Sequence, residues 1–326
     1  MINSWKINDN EYLFFDIFHK NNMLILICPV YNDGIDINQL YISCEDESLA
    51  LHEKISEINY EPTEILKYSC QTAKSINRFI IKYNNIVKEF NLENLHSTSD
   101  NSVALTTLFK NDYHLINIFY DYYIRQGVTH FYLYYNGIAS KDIIERCNLP
   151  GVLLIDWNFK YWNTNKKFNH HAQMGQISHA LYRFGKETHK YMIFCDFDEY
   201  LYIPGKLLAN YFAEKEEIDV FGFRNCWSNT LDNNIPEKFP NTFLTSTIYS
   251  FGGLYRSKCV YKVSSVVTCS IHSWKTLTGQ AKDLDNTMYH FYNWSNPGRK
   301  TPPTSPWIGI NTTPEVNKEF TLVLPL

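Results

Sequence analysis

The chain has 326 residues, 44% of them hydrophobic and 16% aromatic with 20% charged, which excludes a disordered or fibrous class and leaves room for two cores at the usual ~100–200 residues per domain. A formal net charge of −4 supplies no basic field of the kind that nucleic-acid binding uses, so no nucleic-acid partner is expected. No run approaches the ~18–20 apolar residues of a bilayer span, and the N-terminus lacks a basic stretch followed by an apolar core, so no membrane span is expected and a cytoplasmic location is the default.

From Glu11 to about Tyr83 short β-prone runs alternate with turns: EYLFFDIF, then NMLILICPVY closed by Asn32-Asp33-Gly34, then QLYISC, EILKYSC and RFIIKY. Many short strands at such spacing predict a small β-sandwich or strand-rich cap, whose role the residues do not disclose. The polar stretch 91–102, NLENLHSTSDNS, reads as a linker. It divides the chain near Ser99 into a β-rich accessory domain, 1–98, and a second domain, 99–326.

Beyond the linker, strands alternate with helices. VALTTLF (103–109) reads as a buried strand, followed by a helix from about Asp112 to Arg125 whose Leu115, Ile118, Phe119 and Tyr122 repeat at three- and four-residue steps before Gly127 ends it. THFYLYY (129–135) and VLLIDW (152–157) are the next strands, and a long helix from about Asn169 to Phe184, stopped by Gly185, precedes a fourth, YMIFC (191–195). This order predicts an α/β domain with a parallel sheet between helices, binding its ligand beyond the carboxyl ends of the strands. The eight cysteines include no C-x-x-C pair, and those in LILIC, MIFC and VVTC read as small buried hydrophobes in the reduced state.

At the carboxyl end of the fourth strand stands Cys195-Asp196-Phe197-Asp198-Glu199. Three carboxylates within four residues repel one another unless a cation or a set of donors compensates. In an extended segment Asp196 and Asp198 share one side while Phe197 points into the sheet. Carboxylate oxygens suit Mg²⁺ or Mn²⁺, which keep positions for waters and substrate phosphates. The bland alternative is a solvated acidic turn. The place of the group at a strand end, directly before Tyr200-Leu201-Tyr202-Ile203-Pro204, favours the cation.

Other segments join this one in order: Thr107-Leu108-Phe109-Lys110-Asn111-Asp112, Gln126-Gly127-Val128-Thr129-His130-Phe131-Tyr132-Leu133-Tyr134, Ile271-His272-Ser273 and Tyr289-His290-Phe291. From about Ala104 to Asn296 the chain resembles glycosyltransferase family 92, of the GT-A fold, and more loosely the GT-A enzymes of family 2. The resemblance implies a GT-A type, Rossmann-like, mixed but mainly parallel sheet flanked by helices. It also implies an inverting transfer of a sugar from a nucleoside diphosphate sugar, a UDP-sugar, to a glycan or other hydroxyl acceptor, with Mn²⁺ or Mg²⁺ as cofactor. UDP-galactose is the implied donor, and UDP-glucose, UDP-N-acetylglucosamine or a deoxysugar nucleotide fits the residues equally well.

Carried over by position, Asp198 is a direct metal ligand, and Asp196 touches the ribose or reaches the metal through water. Lys110, Asn111 and Asp112 line the nucleotide pocket, with Asp156 and Gln173 counted among the donor-binding residues. The family's usual Glu is Asp112 here, and its small Gly/Ser-rich segment is replaced by Asn225-Cys226-Trp227-Ser228-Asn229-Thr230-Leu231-Asp232. GT-A enzymes often complete the metal shell with a late histidine, for which His290 comes first and His272 second. An inverting enzyme needs a general base on the acceptor hydroxyl. Asp232, Glu237 and Asp219 are the carboxylates available, and Asp232 is favoured for its irregular stretch.

The helix before the acidic strand opens on Asn169, His170, His171, Gln173 and Gln176. Adjacent histidines point to different helix faces, which rejects a metal site there, while Asn169 and Gln173 are placed to bond a donor sugar. Trp157, Trp162, Trp227 and Trp274 offer flat faces to an acceptor sugar, although Trp is more often buried. Two rival functions stand beside the transferase: a metal-dependent phosphohydrolase of the haloacid dehalogenase type, and a non-catalytic carbohydrate-binding protein on a decayed transferase fold. The first is disfavoured because its nucleophilic Asp opens the fold, and the second because both aspartates are intact.

Overall fold

The computed structural model describes residues 2–9, 11–30, 35–56, 63–72, 74–162, 171–230, 235, 237–238, 242–243, 245–249, 257–269, 271–272, 274–276, 279–291, 293–295 and 320–321. The chain forms two compact units, Met1–Asp100 with Asp156–Thr188, and Asn101–Ile155 with His189–Leu326. A single cut near residue 99 therefore leaves out one exchange: the segment 156–188 groups with the N-terminal strands.

The first unit carries an eight-stranded sheet made of two antiparallel blocks. One contains Asp16–Lys20, Met23–Pro29, Thr63–Ser69 and Leu51–Ser56; the other contains Glu47–Ser48, Leu40–Cys44, Ile76–Tyr83 and Ile86–Leu95. A short parallel pairing, Asn94↔His19 and Leu95↔Lys20, joins them. Ile17, Leu24 and Leu26 from one block share a core with Ile42, Phe79 and Ile81 from the other. Three hairpins turn on two residues with positive φ, Asn21-Asn22, Glu45-Asp46 and Asn84-Asn85, the conformation whose twist matches the flanking strands. Asn tolerates that conformation, and Glu45 is held in it by accepting the Arg78 N–H at 2.8 Å.

The stretch expected as a linker begins instead as strand. Residues 86–93 pair with 76–83 from Ile86↔Tyr83 to Glu93↔Ile76, with Leu92 buried and most neighbouring side chains outward, so one-sided burial gave a polar sequence. The Asn32-Asp33-Gly34 turn lies outside the described residues.

The expected long helix is α-helical over His171–His179 and then widens to a π-helix over Ala180–Gly185. All nine residues of its α part are buried, so its polar side chains are bonded inside rather than solvated. His171 Nδ1 lies 3.1 Å from the Lys160 carbonyl. His179 Nε2–H donates to Asp16 Oδ2 at 2.8 Å, and Arg183 also bonds that oxygen. Lys20 Nζ donates to the carbonyls of Arg183 and Lys186 at 3.1 and 2.6 Å, capping the end of the helix with a cation.

The second unit is built on a nine-stranded mixed sheet. Its strands are β1 (Val103–Phe109), β2 (Val128–Tyr135), β3 (Val152–Asp156), β4 (Tyr191–Phe194), β5 (Glu199–Leu201), β6 (Val220–Thr230), β7 (Thr245–Tyr249), β8 (Lys258–Lys262) and β9 (Ala281–Phe291). They lie in the order β3-β2-β1-β4-β8-β6-β9-β5, with β7 also on β6. β1 runs parallel to both β2 and β4, but β8 is antiparallel to β4 and β6, and β5 is antiparallel to β9. The unit is thus α/β with few helices and a mixed sheet: parallel pairing holds around β1 and again between β6 and β9, while β8 and β5 pair antiparallel. Helix α1 (Ile116–Arg125) buries Ile118, Phe119 and Tyr122 on the sheet and ends at Gly127, φ 88°. The seven described cysteines are buried and carry no disulfide.

Candidate active site

The carboxyl ends of β1 and β4 lie side by side, since Thr106 pairs with Phe194 in the parallel ladder. Asp112 follows the first and the Asp196–Glu199 group follows the second. That group is a turn, with Glu199 N–H donating to Asp196 O at 3.1 Å, rather than the extended segment expected. Phe197 anchors it: the ring is buried with its centroid 4.9 Å from those of both Phe109 and Phe119. The expected inward Phe197 holds, while the aspartates owe their places to the turn.

Two further strands bring partners by register. Phe194 pairs with Cys259, so Lys258 stands next to Cys195-Asp196, with Nζ 2.7 Å from Asp196 Oδ2 and 3.2 Å from Glu199 Oε2. Glu199 pairs with His290 across β5 and β9. The imidazole sits with Nε2 3.3 Å from Asp198 Oδ2 and Nδ1 3.4 Å from Glu199 Oε1. At the end of β9, Phe291 N–H donates to Asp198 O at 2.8 Å while its ring stacks on Trp294, and Ser295 Oγ–H donates to Asp198 Oδ2 at 2.5 Å.

The electrostatics follow from crowding carboxylates out of water. Burial, then the charge of Asp198, push the Asp112 carboxyl up to about 7. Burial pushes Glu199 up to about 7 as well, with Lys258 pulling against it. For Asp198, burial is outweighed by His290, Ser295 and Lys258, which hold the carboxyl below its ordinary range. Burial also opposes the charge on Lys258 and on His290, yet the surrounding carboxylates raise both above their usual values.

Two donors of the group are spaced to share a small hard cation. Asp198 Oδ2 and His290 Nε2 are 3.3 Å apart, close to the ~3 Å between neighbouring ligands on an octahedral ion with bonds of about 2.1 Å. Asp112 stands beside this group, raised first by burial and then by the charge of Asp198.

The structure gathers Asp112, Asp196, Asp198 and His290 among the residues expected from sequence. Lys110 and Asn111 are exposed beside Asp112, whose Oδ1 accepts the Lys110 N–H at 3.2 Å. His272 is exposed and turns Nδ1 to the Ser257 carbonyl at 2.9 Å, so His290 is the histidine that faces the carboxylates. Asp156 and Gln173 group with the first unit, where Gln173 Oε1 accepts from Tyr161 Oη–H at 3.1 Å. Trp157 is buried there with Nε1–H on the Ala172 carbonyl, while Trp162 is exposed. Asp219 is buried next to Val220, and the pairings Val220↔Tyr261 and Tyr191↔Lys262 put it at the opposite end of the strands from Asp196. Asp232, Asn169 and His170 lie outside the described residues, as do the side chains of Trp227 and Trp274.

Glu237 is exposed and lines a cleft of about 760 Å³ along α1, with His114, Asn117, Asp121, Arg146 and Lys238; none of the acidic group lines it. The sequence pattern assigns nothing to Lys258 or Ser295, and Glu199 enters it only as the third carboxylate of the acidic group. Lys258 had one signal, a cation opening the apolar strand KCVYK, which needs an anionic partner once buried.

A family model for glycosyltransferase family 92 matches residues 99–323. No curated protein matches the chain significantly. Among solved structures, an amylomaltase from Corynebacterium glutamicum is similar at 10% identity and a TM-score of 0.18, over 38% of this chain and 21% of that one, so the chain spans about a fifth of its length and the likeness carries no argument. The family match runs from before β1 to beyond β9, through every residue of the acidic site, and on that ground the chain belongs to glycosyltransferase family 92 and is a glycosyltransferase enzyme.

Proposed function

We propose that the acidic site binds Mn²⁺ or Mg²⁺ together with a nucleoside diphosphate sugar, a UDP-sugar, and that the enzyme transfers the sugar with inversion to a hydroxyl of a glycan acceptor. The observation that carries this reading is the gathering of Asp196, Asp198 and Glu199 with Lys258 and His290 beside Asp112, where Asp198 Oδ2 and His290 Nε2 come within 3.3 Å of each other. Asp198 and His290 are the residues that would hold the cation. When bound, it neutralises charge developing on the departing diphosphate. Asp196, tied on one oxygen to Lys258, is left to face the ribose or a metal-bound water. Lys110 and Asn111, exposed after β1, are placed to contact the nucleotide, and the β3-β2-β1-β4 order supports a GT-A type arrangement. Asp232 is the proposed base on the acceptor hydroxyl, so Asp232→Asn is expected to lower kcat by about 10²–10⁴.

The test is a thermal-shift series with Mn²⁺, UDP and UDP-sugars, paired with an assay of sugar transfer or UDP release. A ligand at about 100 times its Kd stabilises by ~2.7 kcal/mol, which a melting curve resolves. Asp198→Ala should lose the Mn²⁺-dependent part of the shift. Retention of the full shift removes Asp198 from the metal shell, and a wild-type protein unmoved by Mn²⁺ with every UDP-sugar ends the reading.

A further inference from the structure

We propose that Lys258 and Glu199 form a positioning pair that gives the two aspartates of the acidic turn separate duties: Lys258 ties down Asp196, while Glu199 faces the Nδ1 edge of His290, so that the imidazole presents Nε2 beside Asp198. The proposal rests on the metal reading above and assigns the residues that organise that site.

The two oxygens of Glu199 face different partners. Oε2 accepts the Asp196 backbone N–H at 2.7 Å and lies 3.2 Å from Lys258 Nζ, whereas Oε1 lies 3.4 Å from His290 Nδ1. Lys258 Nζ in turn reaches Asp196 Oδ2 at 2.7 Å, and the lysine side chain is only 4% exposed. The pair is set by main-chain register, Phe194↔Cys259 on one side and Glu199↔His290 on the other, so neither side chain arrives by chance of rotamer.

A neutral imidazole carries one N–H and one lone pair. Ligation through Nε2 requires the N–H on Nδ1, and a carboxylate on that edge fixes both the tautomer and the ring plane. Glu199 Oε1 faces that edge as an ion-pair contact at 3.4 Å, and Lys258 with the Asp196 N–H keeps Oε2 from turning away. Asp196 has one oxygen on the buried ammonium, whereas Asp198 Oδ2 meets a hydroxyl and the imidazole that would share the cation, so Asp196 contributes less to a cation than Asp198 does. A merely structural ion pair predicts none of this asymmetry.

The experiment titrates Mn²⁺ into wild-type protein, Glu199→Gln, Asp196→Asn, Asp198→Asn and His290→Ala, following free Mn²⁺ by electron paramagnetic resonance and ¹⁴N coupling to bound Mn²⁺ by its pulsed form. His290→Ala should lose the ¹⁴N coupling. Glu199→Gln, which keeps size and shape, should weaken Mn²⁺ by about 10- to 100-fold and diminish the coupling, as loss of a carboxylate behind a ligating histidine does. Asp196→Asn should stay within about threefold of wild type while Asp198→Asn loses binding, a gap of a tenfold step or more. Lys258→Arg, a retained cation, should preserve the wild-type coupling, and melting curves identify any variant that is unfolded. The pair is overturned if Glu199→Gln binds Mn²⁺ as tightly as wild type with the same coupling, or if Asp196→Asn costs as much as Asp198→Asn. A wild-type protein that binds no Mn²⁺ overturns the metal reading itself, which separates the two failures.

Discussion

Asp112 sits half-buried near two other carboxylates, and its carboxyl is pushed up to about 7 first by burial and then by Asp198. Its folded value lies above the unfolded one, so the native state binds more protons and stability falls as pH rises from about 4 to about 7. The ionised side chain is therefore kept at a cost to the fold, as expected of a group that serves a ligand rather than the core. Asp112→Asn removes the repulsion while keeping the shape. Without divalent cation at about pH 8, the variant should be more stable by ~1 kcal/mol after allowing for solvent screening, which is about 2–4 °C in Tm for a unit of this size. With Mn²⁺ and UDP present the ranking should reverse. A lower Tm for Asp112→Asn in the absence of cation would show that the carboxylate is satisfied by the protein alone.

Among the elements, the junction of α1 with the helix α4 (Leu208–Ala213) shows how closely the second unit is built. Gln126 Oε1 accepts the Leu208 N–H and the Gln126 carbonyl accepts the Ala209 N–H, both at the amino end of α4. Gly127 follows with φ 88°, and a Cβ there would meet Ala209 Cβ at 2.6 Å. Gly205 has φ 72° but open space around it. Gly205→Ala should cost only the left-handed backbone, ~1–2 kcal/mol, whereas Gly127→Ala adds ~1–3 kcal/mol of displacement. Urea melts of the two variants read the difference; equal costs would mean that α4 yields freely.

The same scale shows what the sequence makes legible. β1 and β4 are apolar runs because both faces are covered, and their bounds of 103–109 and 191–194 lie within a residue of those read from hydrophobicity. The strand over 86–95 has one wet face, and its last residues, 91–95, read as the start of a polar linker. Asp196, Asp198 and His290 were visible as residue types that bind cations, but the contacts of Lys258 and Glu199 depend on register between strands far apart in sequence, which no local pattern encodes. The turn at 196–199 reads as extended from sequence because period-two and turn geometries both send Phe197 inward.

Over the whole molecule, the two units carry titrating groups of opposite sign. In the first, burial lowers His19, His171 and His179, His171 to about 4. A histidine lowered in the fold contributes stability that is present above its unfolded value and is lost as pH falls toward the folded one. Between about pH 7.5 and pH 5 His171 alone should remove ~2 kcal/mol, at 1.36 kcal/mol per unit. In the second unit Asp112 and Glu199 are raised to about 7 and His290 is raised as well, so stability there is lost as pH rises through those values. Asp16 and Asp198 are lowered from an already acidic value and titrate below this window. Amide exchange resolved by residue, corrected for the intrinsic dependence on pH, separates the two effects where a single melting curve would sum them. On going from about pH 7.5 to about pH 5 the strands Asp16–Lys20 and Thr63–Ser69 should lose protection, while β4, β5 and β9 gain it. His171→Phe, which keeps a ring against Phe15 without the titrating nitrogens, should flatten the response of the first unit and leave that of the second unchanged. Parallel loss of protection in both units on acidification would mean that the carboxylates around Lys258 are already offset by the protein, and with that the reason for placing a cation beside them disappears.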